Sequence, residues 1–379
     1  MRVVLFTDTL GDLNGVSRFI SDMAQTARER QDSLQVITSS AKPCPDAENI
    51  HNFPPRIRLK MPYYNELDLA FPPSKDIEDF VRFLDPEVIH ISTPGPVGIL
   101  GRKIAKKLGV PILGTYHTDF PAYIRDNTGS MLLKKVTDRI MRRFYSPFSH
   151  MFSRSQMYET IMSEEIGIKA DKISTIPAGT NLKRFAPHHR EEGYWERFNI
   201  PKKSVKVLYV GRLSVEKNIP FLLKIWQKLQ QEYNGINADL ILIGEGKLKS
   251  EALLQERVHP IGPIYTEALS NMYAASDIFV FPSVTDTLGQ VVMEASASGL
   301  ATLVSNQGGP QSLMNTRLQN GYVIEANNTD EWVALLKRLI EDAMLRLTLG
   351  EGAHQNMRDF DIKHSYEHFW QMHQRYYPM

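Results

Sequence analysis

Short apolar runs alternate with longer segments of helical periodicity along this chain, and the alternation occurs twice. In the first half, the pattern predicts strands at 2–7, 34–38, 88–92 and 111–116, and helices at 16–30, 76–84 and 98–108. In the second half, it predicts strands at 206–210, 240–243, 258–261, 278–281 and 301–304, and a helix at 219–233. Strands separated by helices form parallel sheets with helices on both faces. The sequence therefore predicts an α/β protein built from two doubly wound, Rossmann-like units.

The polar stretch at 186–197 separates the two runs of alternation. A chain of 379 residues is too long for one ordinary core. We therefore predict a first domain over 1–186 and a second domain over 197–360. The remaining segment, 361–379, has helical periodicity and is rich in aromatic residues, which predicts a terminal helix that packs back on the first domain.

Composition describes a soluble globular protein, with 42% hydrophobic and 23% charged residues. No run of eighteen apolar residues is present to span a membrane. The apolar start, Val3 to Phe6, is too short for a signal peptide. The single cysteine, Cys44, excludes an intramolecular disulfide and fits a reducing compartment, so residence in the cytoplasm is expected.

The net charge of +1 argues against a nucleic-acid-binding protein, but residues 101–150 carry ten basic and three acidic side chains. Within this stretch, 131–145 is amphipathic, with an apolar stripe at Leu133, Val136, Ile140 and Phe144. Its basic side chains are those of Lys134, Lys135, Arg139, Arg142 and Arg143. Two interpretations remain open: the stripe packs on the sheet, or the helix lies on an anionic membrane surface.

Two carboxylates follow the strand predicted at 278–281. We predict that a helix opens at Asp286-Thr287-Leu288-Gly289, and Glu294 follows Asp286 by eight residues. Eight helical residues rise about 12 Å, roughly the distance from a sugar ring across a diphosphate to a ribose. Free amides at a helix N-terminus suit a phosphate. The spacing therefore indicates a nucleotide-sugar site.

A second candidate follows the strand at 206–210, where Gly211 and Arg212 precede Lys217. A guanidinium and an ammonium in a loop between a strand and a helix can clamp a diphosphate and neutralise a departing nucleoside diphosphate. The alternative is that both cations are solvated in a surface loop.

Glycine-containing loops follow three other strands. Gly15 and Val16 open the first helix, Gly244-Glu245-Gly246 follows the strand at 240–243, and Ile264 follows the next strand. Their backbone amides can approach a phosphate, a sugar or a base. Each loop can also be a plain turn.

His117 follows the strand at 111–116 and is close in sequence to Asp119. Ligands of doubly wound domains collect at the carboxyl ends of the strands, which favours a role for His117 at a sugar or acceptor hydroxyl. The alternative is a structural histidine. No HExxH motif, Cys/His cluster or phosphate-binding P-loop is present, so the sequence does not indicate a metal-dependent mechanism.

Together these segments resemble the GT-B retaining glycosyltransferases known as family 4 or group 1, in the family's order and over nearly the whole chain. The resembling segments are Asn14-Gly15-Val16, His117, the hinge pattern from Ile176-Pro177 through Asn181 to Pro187, Arg212 with Lys217, and Asp286 with Glu294. The resemblance implies two Rossmann-like domains that face an interdomain cleft.

The chain departs from the family pattern at two positions. The first acid of the pair is usually Glu, and Asp286 is similar to the variant in enzymes that glycosylate lipids, such as sulfolipid synthases and diacylglycerol or phosphatidylinositol mannosyltransferases. The hinge usually carries Asp where Asn181 stands, which puts a charge role there in doubt and leaves the turn intact.

The resemblance implies transfer of a hexose from a UDP- or GDP-sugar to a hydroxyl acceptor, with retention, by front-face attack, and without a metal or other cofactor. The implied catalytic residues are His117, Arg212, Lys217 and Asp286. The implied donor-binding residues are Gly15, Val16, Gly211, Gly244, Glu245, Gly246, Ile264, Thr287, Leu288, Gly289 and Glu294. A membrane lipid is the candidate acceptor, with the basic stretch in peripheral contact with the inner face of the membrane.

Two other classes share this architecture: sugar-nucleotide 2-epimerases and non-catalytic proteins that bind nucleotide sugars. The Arg212–Lys217 spacing and the acid pair argue against an epimerase. The presence of His117, both acids and both cations argues against loss of catalysis.

Overall fold

The computed structural model describes residues 1–12, 14–61, 64–233, 235–264, 266–286 and 288–377. The chain folds as two compact units, one formed by Met1–Ala178 with the segment from Ile362 onward, the other by Gly179–Asp361. The stretch 186–197, which lies between the two domains predicted from the sequence, belongs to the second unit. Tyr194 and Trp195 are buried there, and Trp195 Nε1 donates to the carbonyl of Ala275 at 3.0 Å, which anchors the stretch.

The strands of the first unit are β1 (Arg2–Thr7), β2 (Ser33–Thr38), β3 (Ile50–Asn52), β4 (Ile57–Met61), β5 (Tyr64–Phe71), β6 (Val88–Ile91), β7 (Ile112–Thr115), β8 (His150–Ser153) and β9 (Ile173–Thr175). Its helices are α1 (Gly15–Arg30), α2 (Ser74–Leu84), α3 (Pro96–Leu108), α4 (Phe120–Thr128), α5 (Met131–Tyr145), α6 (Gln156–Glu164) and, at the C-terminus, α13 (Ile362–Arg375).

The strands of the second unit are β10 (Val205–Val210), β11 (Ala238–Ile243), β12 (Val258–Gly262), β13 (Ile278–Phe281), β14 (Ala301–Ser305) and β15 (Gly321–Ile324). Its helices are α7 (Ile219–Glu232), α8 (Lys249–Ala252), α9 (Thr266–Ala274), α10 (Gln290–Ala297), α11 (Thr329–Glu341) and α12 (Ala343–Asn356).

Each unit is built on a parallel sheet, as the sequence predicts. The first sheet has the order β3-β2-β1-β6-β7-β8-β9, and the second has the order β12-β11-β10-β13-β14-β15. The central strands β1, β11 and β13 are mostly apolar, and apart from Arg2 all their residues are buried. Strands of a parallel sheet have this character because helices cover both faces. In both sheets the first strand of the unit separates strands added in one direction from strands added in the opposite direction. Ligands of doubly wound sheets bind at the loops beside such a switch point.

Several elements were not predicted from the pattern, among them the antiparallel pair β4–β5, the edge strands β3, β9 and β15, and strand β8. Edge strands are short and only partly apolar, so their periodicity is weak. β9, for example, has three half-buried residues.

The terminal helix α13 packs on α1 within the first unit, as predicted. Tyr366, Phe369 and Trp370 are buried in the same apolar cluster as Ile20 and Met23 of α1. Within the described part of the chain, no helix is both long and apolar enough to cross a membrane.

Candidate active site

The loop after β1 leads directly into α1. Asn14 is the N-cap of this helix, and its Oδ1 accepts a hydrogen bond from the Ser17 amide at 2.9 Å. Gly15 and Val16, predicted to bind the donor, are therefore the first two residues of α1. Their amides belong to the first turn, where a helix has donors without an intrahelical partner.

His117 lies just beyond the carboxyl end of β7 and is half-buried. Its ring makes an edge contact with Phe19 of α1, with 5.9 Å between the ring centroids. Asp119 has a different role, because its Oδ1 caps α4 by accepting from the Ala122 amide at 3.1 Å and also accepts from the Tyr116 hydroxyl. Burial lowers the pKa of His117 well below its usual value, and the positive charge of Arg154 adds to this effect. The imidazole is therefore neutral at physiological pH.

The basic helix α5 exposes most of its predicted apolar stripe. Of the stripe, only Phe144 is buried, whereas Leu133, Val136 and Ile140 are 36–55% exposed. Met131 and Leu132 extend this exposed surface at 55% and 72%.

The five basic side chains of α5 do not share one environment. Lys134 Nζ pairs with Asp138 and Glu165, and Arg142 donates to the carbonyls of Ile166 and Glu165. Lys135, Arg139 and Arg143 are exposed. The exposed apolar residues and these three cations form what we call the α5 face.

In the second unit, the loops after β10 and β11 are packed backbone against backbone. The Leu213 amide donates to the carbonyl of Glu245 at 2.9 Å, and the Gly211 amide donates to the carbonyl of Ile243 at 2.9 Å. A side chain at Gly244 would lie 1.9 Å from the carbonyl oxygen of Gly211, and one at Gly246 would lie 2.2 Å from that of Leu213. Only glycine permits this approach.

Gly244, Glu245 and Gly246 thus support the loop that carries Arg212. The Glu245 carboxylate pairs with Lys249, and the half-buried Ile264 follows β12.

Arg212 and Lys217 each have a carboxylate partner. Arg212 Nη1 lies 3.2 Å from Glu216 Oε1, and Lys217 Nζ lies 2.7 Å from Asp286 Oδ1. The Thr285 hydroxyl donates to the carbonyl of Glu216 at 3.2 Å, which joins the two loops. The structure therefore brings together the cation and the acid that the sequence placed 69 residues apart.

The other oxygen of Asp286, Oδ2, is buried and has no hydrogen-bond partner among the described residues. An unsatisfied buried carboxylate oxygen is costly and marks a place where a ligand donor is expected.

The predicted helix start at Asp286 is wrong, because α10 begins at Gln290. The Asp286 carbonyl accepts from the Gly309 amide at 2.7 Å, and Gly289 has φ 82°, so the chain turns before it becomes helical. A side chain at Gly289 would lie 2.8 Å from Pro310. Leu288 is half-buried in this turn, and Thr287 lies outside the described residues. The estimate of about 12 Å for eight helical residues therefore does not apply here.

Glu294 lies in the second turn of α10 and is only 2% exposed. Its Oε2 accepts a hydrogen bond from the Tyr273 hydroxyl at 3.0 Å. Tyr273 thus orients the Glu294 carboxylate. The sequence analysis missed Tyr273 because no periodicity or motif spacing points to it.

Asn181 occupies the hinge position where the family pattern usually has Asp. Its Oδ1 accepts from the amides of Lys183 and Arg184, both at 3.1 Å. An amide oxygen satisfies these donors as a carboxylate would, so the turn does not need the charge.

Arg154 was missed by the sequence analysis because strand β8, which it follows, was not predicted. It is 6% exposed, and its guanidinium lies over the Phe19 ring at 3.9 Å from the ring centroid. Within the described residues, no three His, Cys, Asp or Glu side chains converge as a metal site would require.

Comparison with known proteins gives matches to two family models. Residues 13–184 match "Glycosyltransferase Family 4", and residues 192–356 match "Glycosyl transferases group 1". Together these models cover most of both units.

Individual relatives and solved structures agree with the family models. The sulfoquinovosyl transferase SQD2 of Arabidopsis thaliana is 29% identical over 79% of this chain and 59% of that protein. The alpha-monoglucosyldiacylglycerol synthase of Streptococcus pneumoniae is 26% identical over 79% of this chain and 70% of that protein. The crystal structure of Anabaena HepE in complex with UDP-glucose covers 99% of this chain and 100% of its own, with a TM-score of 0.76 and 17% identity. The chain therefore belongs to the GT-B glycosyltransferases of family 4 and group 1.

Proposed function

We propose that this protein transfers a hexose from a UDP- or GDP-sugar to a hydroxyl acceptor with retention at the anomeric carbon, and that it needs no metal. In this proposal the second unit supplies most of the donor-binding residues, and the first unit binds the acceptor. Membership of a glycosyltransferase family favours transfer over epimerisation.

The observation that carries this proposal is the group of charges formed by Arg212, Lys217 and Asp286 in the second unit. Two cations here can bind the donor diphosphate and stabilise the negative charge on the leaving nucleoside diphosphate. That charge stabilisation is what a divalent cation would otherwise supply. Asp286 Oδ2 accepts no hydrogen bond from the described residues, so it can accept one from a hydroxyl of the sugar.

Retention follows in this proposal from attack on the same face of the sugar that the leaving group departs from. The acceptor hydroxyl forms the new C–O bond as the anomeric C–O bond to the phosphate breaks. The departing phosphate oxygen takes the proton of the acceptor hydroxyl, so no protein base is required. His117 is neutral. It can hydrogen-bond a sugar or acceptor hydroxyl without adding charge.

Lys217→Ala and Glu294→Ala are expected to lose most transfer activity while the fold survives. Lys217 neutralises the leaving group in this proposal, and Glu294 binds the ribose. Lys228→Ala is the matched control, because Lys228 also lies in the second unit and pairs with Asp330 and Glu232 at the surface. Turnover would be measured with UDP- and GDP-sugars, and the anomer of the product would be read by NMR. Unchanged turnover in either site variant contradicts the proposal.

We propose further that the acceptor is a membrane lipid, and that the α5 face contacts the anionic inner surface of the membrane. Exposed leucine, isoleucine and valine side chains beside three exposed cations are typical of a helix that lies in the membrane interface. The Streptococcus pneumoniae relative is named as a synthase of alpha-monoglucosyldiacylglycerol. The motif that contains Asp286 also resembles the variant in enzymes that glycosylate lipids.

Leu132→Asp combined with Ile140→Asp is expected to abolish co-sedimentation with vesicles that contain anionic lipid, since both side chains belong to the α5 face. Replacement of Lys103 and Lys106 by Glu is the control, because these exposed cations lie on α3. Absence of vesicle binding by the unmodified protein at low salt contradicts membrane contact.

A further inference from the structure

Arg154 is a buried cation that forms no ion pair with the described residues. Only 6% of the residue is exposed, and its Nη1 is fully buried with no hydrogen-bond partner in the described part of the chain. Its guanidinium lies over the face of Phe19, 3.9 Å from the ring centroid. Burial lowers the pKa of the guanidinium to about 10, so the group remains charged at neutral pH. Burial of an unpaired charge costs free energy. Such a charge is retained only where another interaction compensates for that cost.

The register of the first sheet sets Arg154 beside His117. Thr115 of β7 pairs with Phe152 of β8, so the two residues hold equivalent positions just beyond the carboxyl ends of neighbouring strands. The Phe19 ring contacts both side chains. The next residue along the chain, Ser155, is the N-cap of α6, and its hydroxyl is also buried without a described partner. A cation, a hydroxyl and an imidazole therefore lie together beyond the carboxyl ends of the strands, where ligands of such folds bind.

We propose that Arg154, with Ser155 and His117, forms a subsite in the first unit for an oxyanion carried by the acceptor, of the phosphate class. A guanidinium and a hydroxyl are the donors that recognise phosphate oxygens. The donor diphosphate has its own cations, Arg212 and Lys217, on the second unit, which is why the acceptor is assigned here. The assignment of this subsite to the acceptor rests on the proposed transferase function. It restricts the acceptor to a compound that carries both a hydroxyl and an anionic group.

Thermal unfolding of the full chain with inorganic phosphate tests the subsite without requiring turnover. Phosphate at tens of millimolar, against sodium chloride of equal ionic strength, is expected to raise the Tm of the first unit by about 2–4 °C by mass action. Arg154→Met is expected to lose at least half of this shift. Without phosphate, Arg154→Met is expected to have a higher Tm than the unmodified chain, because an unpaired buried charge is removed.

Two control variants separate this outcome from general effects. Arg102 also lies over an aromatic ring, that of Phe144, but it donates to two carbonyls, so Arg102→Met is expected to lower Tm and keep the phosphate shift. Lys217→Met tests whether phosphate binds at the donor cations instead, and it is expected to keep the shift.

The source of the oxyanion is tested with paired ligands. Glycerol 3-phosphate is expected to reproduce the phosphate shift where glycerol does not, and Arg154→Met is expected to leave the shifts produced by UDP-glucose and UDP-glucuronate unchanged. Loss of the UDP-glucuronate shift alone would assign Arg154 to the donor and overturn the proposal. So would the absence of a phosphate shift in the unmodified chain, or a lower Tm with an intact phosphate shift in Arg154→Met. Failure of the proposed transfer reaction would leave these binding results unaffected.

Discussion

Gly244 shows how a single residue positions a charged group that it does not touch. Its φ of 142° and the 1.9 Å that would separate a side chain from the Gly211 carbonyl exclude any other residue. The loop that begins at Gly211 carries Arg212 and Lys217, so their placement depends on this backbone contact.

Gly244→Ala is expected to lower the free energy of unfolding of the second unit by more than about 2 kcal/mol, because it combines backbone strain with a steric clash. Gly235→Ala is the matched control, since Gly235 also has a positive φ but no atom within 4 Å of the added carbon. It is expected to cost about 1 kcal/mol from backbone strain alone. Urea unfolding of both variants measures the difference, and equal costs would contradict the clash.

Asp286 illustrates the limit of a sequence pattern at this scale. The pattern identified the residue and its resemblance to lipid-glycosylating enzymes. It did not show that one carboxylate oxygen lies 2.7 Å from Lys217 Nζ while the other has no hydrogen-bond partner among the described residues. That arrangement depends on two loops meeting after the sheet has formed.

At the scale of elements, helix α13 is attached to the first sheet through histidines. His373 Nε2 lies 3.1 Å from His90 Nδ1, and His90 Nε2 lies 3.0 Å from the Thr115 hydroxyl. Burial lowers the pKa of His373 to about 3 and, with the nearby His373, lowers that of His90 well below its usual value. Burial likewise lowers the pKa of His150, which lies against Tyr376, to about 4.

These histidines are therefore neutral when folded and take up protons when unfolded, below the usual pKa of about 6.5. The stability that they contribute is present above pH 6.5 and is lost as the pH falls below it. For His373 and His150 the loss continues to the folded values of about 3 and 4. As the pH falls from 6.5 to 5, His373→Gln is expected to reduce the slope of unfolding free energy against pH by an amount that approaches about 1.4 kcal/mol per pH unit, the equivalent of one proton.

His364→Gln provides the control on the same helix, because His364 is exposed. Chemical unfolding at pH 7.5, 6.5 and 5.5 gives the slope for each variant. An unchanged slope in His373→Gln would show that this histidine is not held neutral by the docking of α13.

At the scale of the whole molecule, the C-terminal segment completes the unit that begins the chain. Tyr366 and Phe369 are almost fully buried beside α1, although more than 330 residues separate them from it in sequence. The first unit therefore cannot finish its core until the second unit has been synthesised.

Truncation after Asp361 is expected to destabilise the first unit and leave the second intact. Burial of each large aromatic side chain contributes about 1.5–3 kcal/mol, so the loss of Tyr366, Phe369 and Trp370 is comparable to the whole stability of a marginally stable unit. Limited proteolysis with mass spectrometry would show cleavage within 1–178 and protection of 179–361. Phe369→Ala is a milder variant, expected to cost about 3–5 kcal/mol. Equal protection of both units in the truncated chain would contradict the prediction.

The sequence by itself determined the elements and their order wherever burial imposes a pattern. The central strands, such as 206–210 and 278–281, and the helices beside them were predicted because a strand covered on both faces must be apolar. The family was indicated for a related reason, since a loop that binds a phosphate requires glycine and cations at set positions. Arg212, Lys217 and Asp286 were recognised in this way.

Only the tertiary structure decided which distant groups meet and which stay unsatisfied. Strand register and loop packing determine three such arrangements: the pairing of Lys217 with Asp286, the hydrogen bond from the Tyr273 hydroxyl to Glu294, and the placement of Arg154 beside His117. The start of α10 at Gln290 depends on the hydrogen bond between the Gly309 amide and the Asp286 carbonyl. Helix propensity of the local sequence cannot predict this contact. Periodicity records burial along one segment, whereas these contacts join segments that become neighbours only after the sheets have formed.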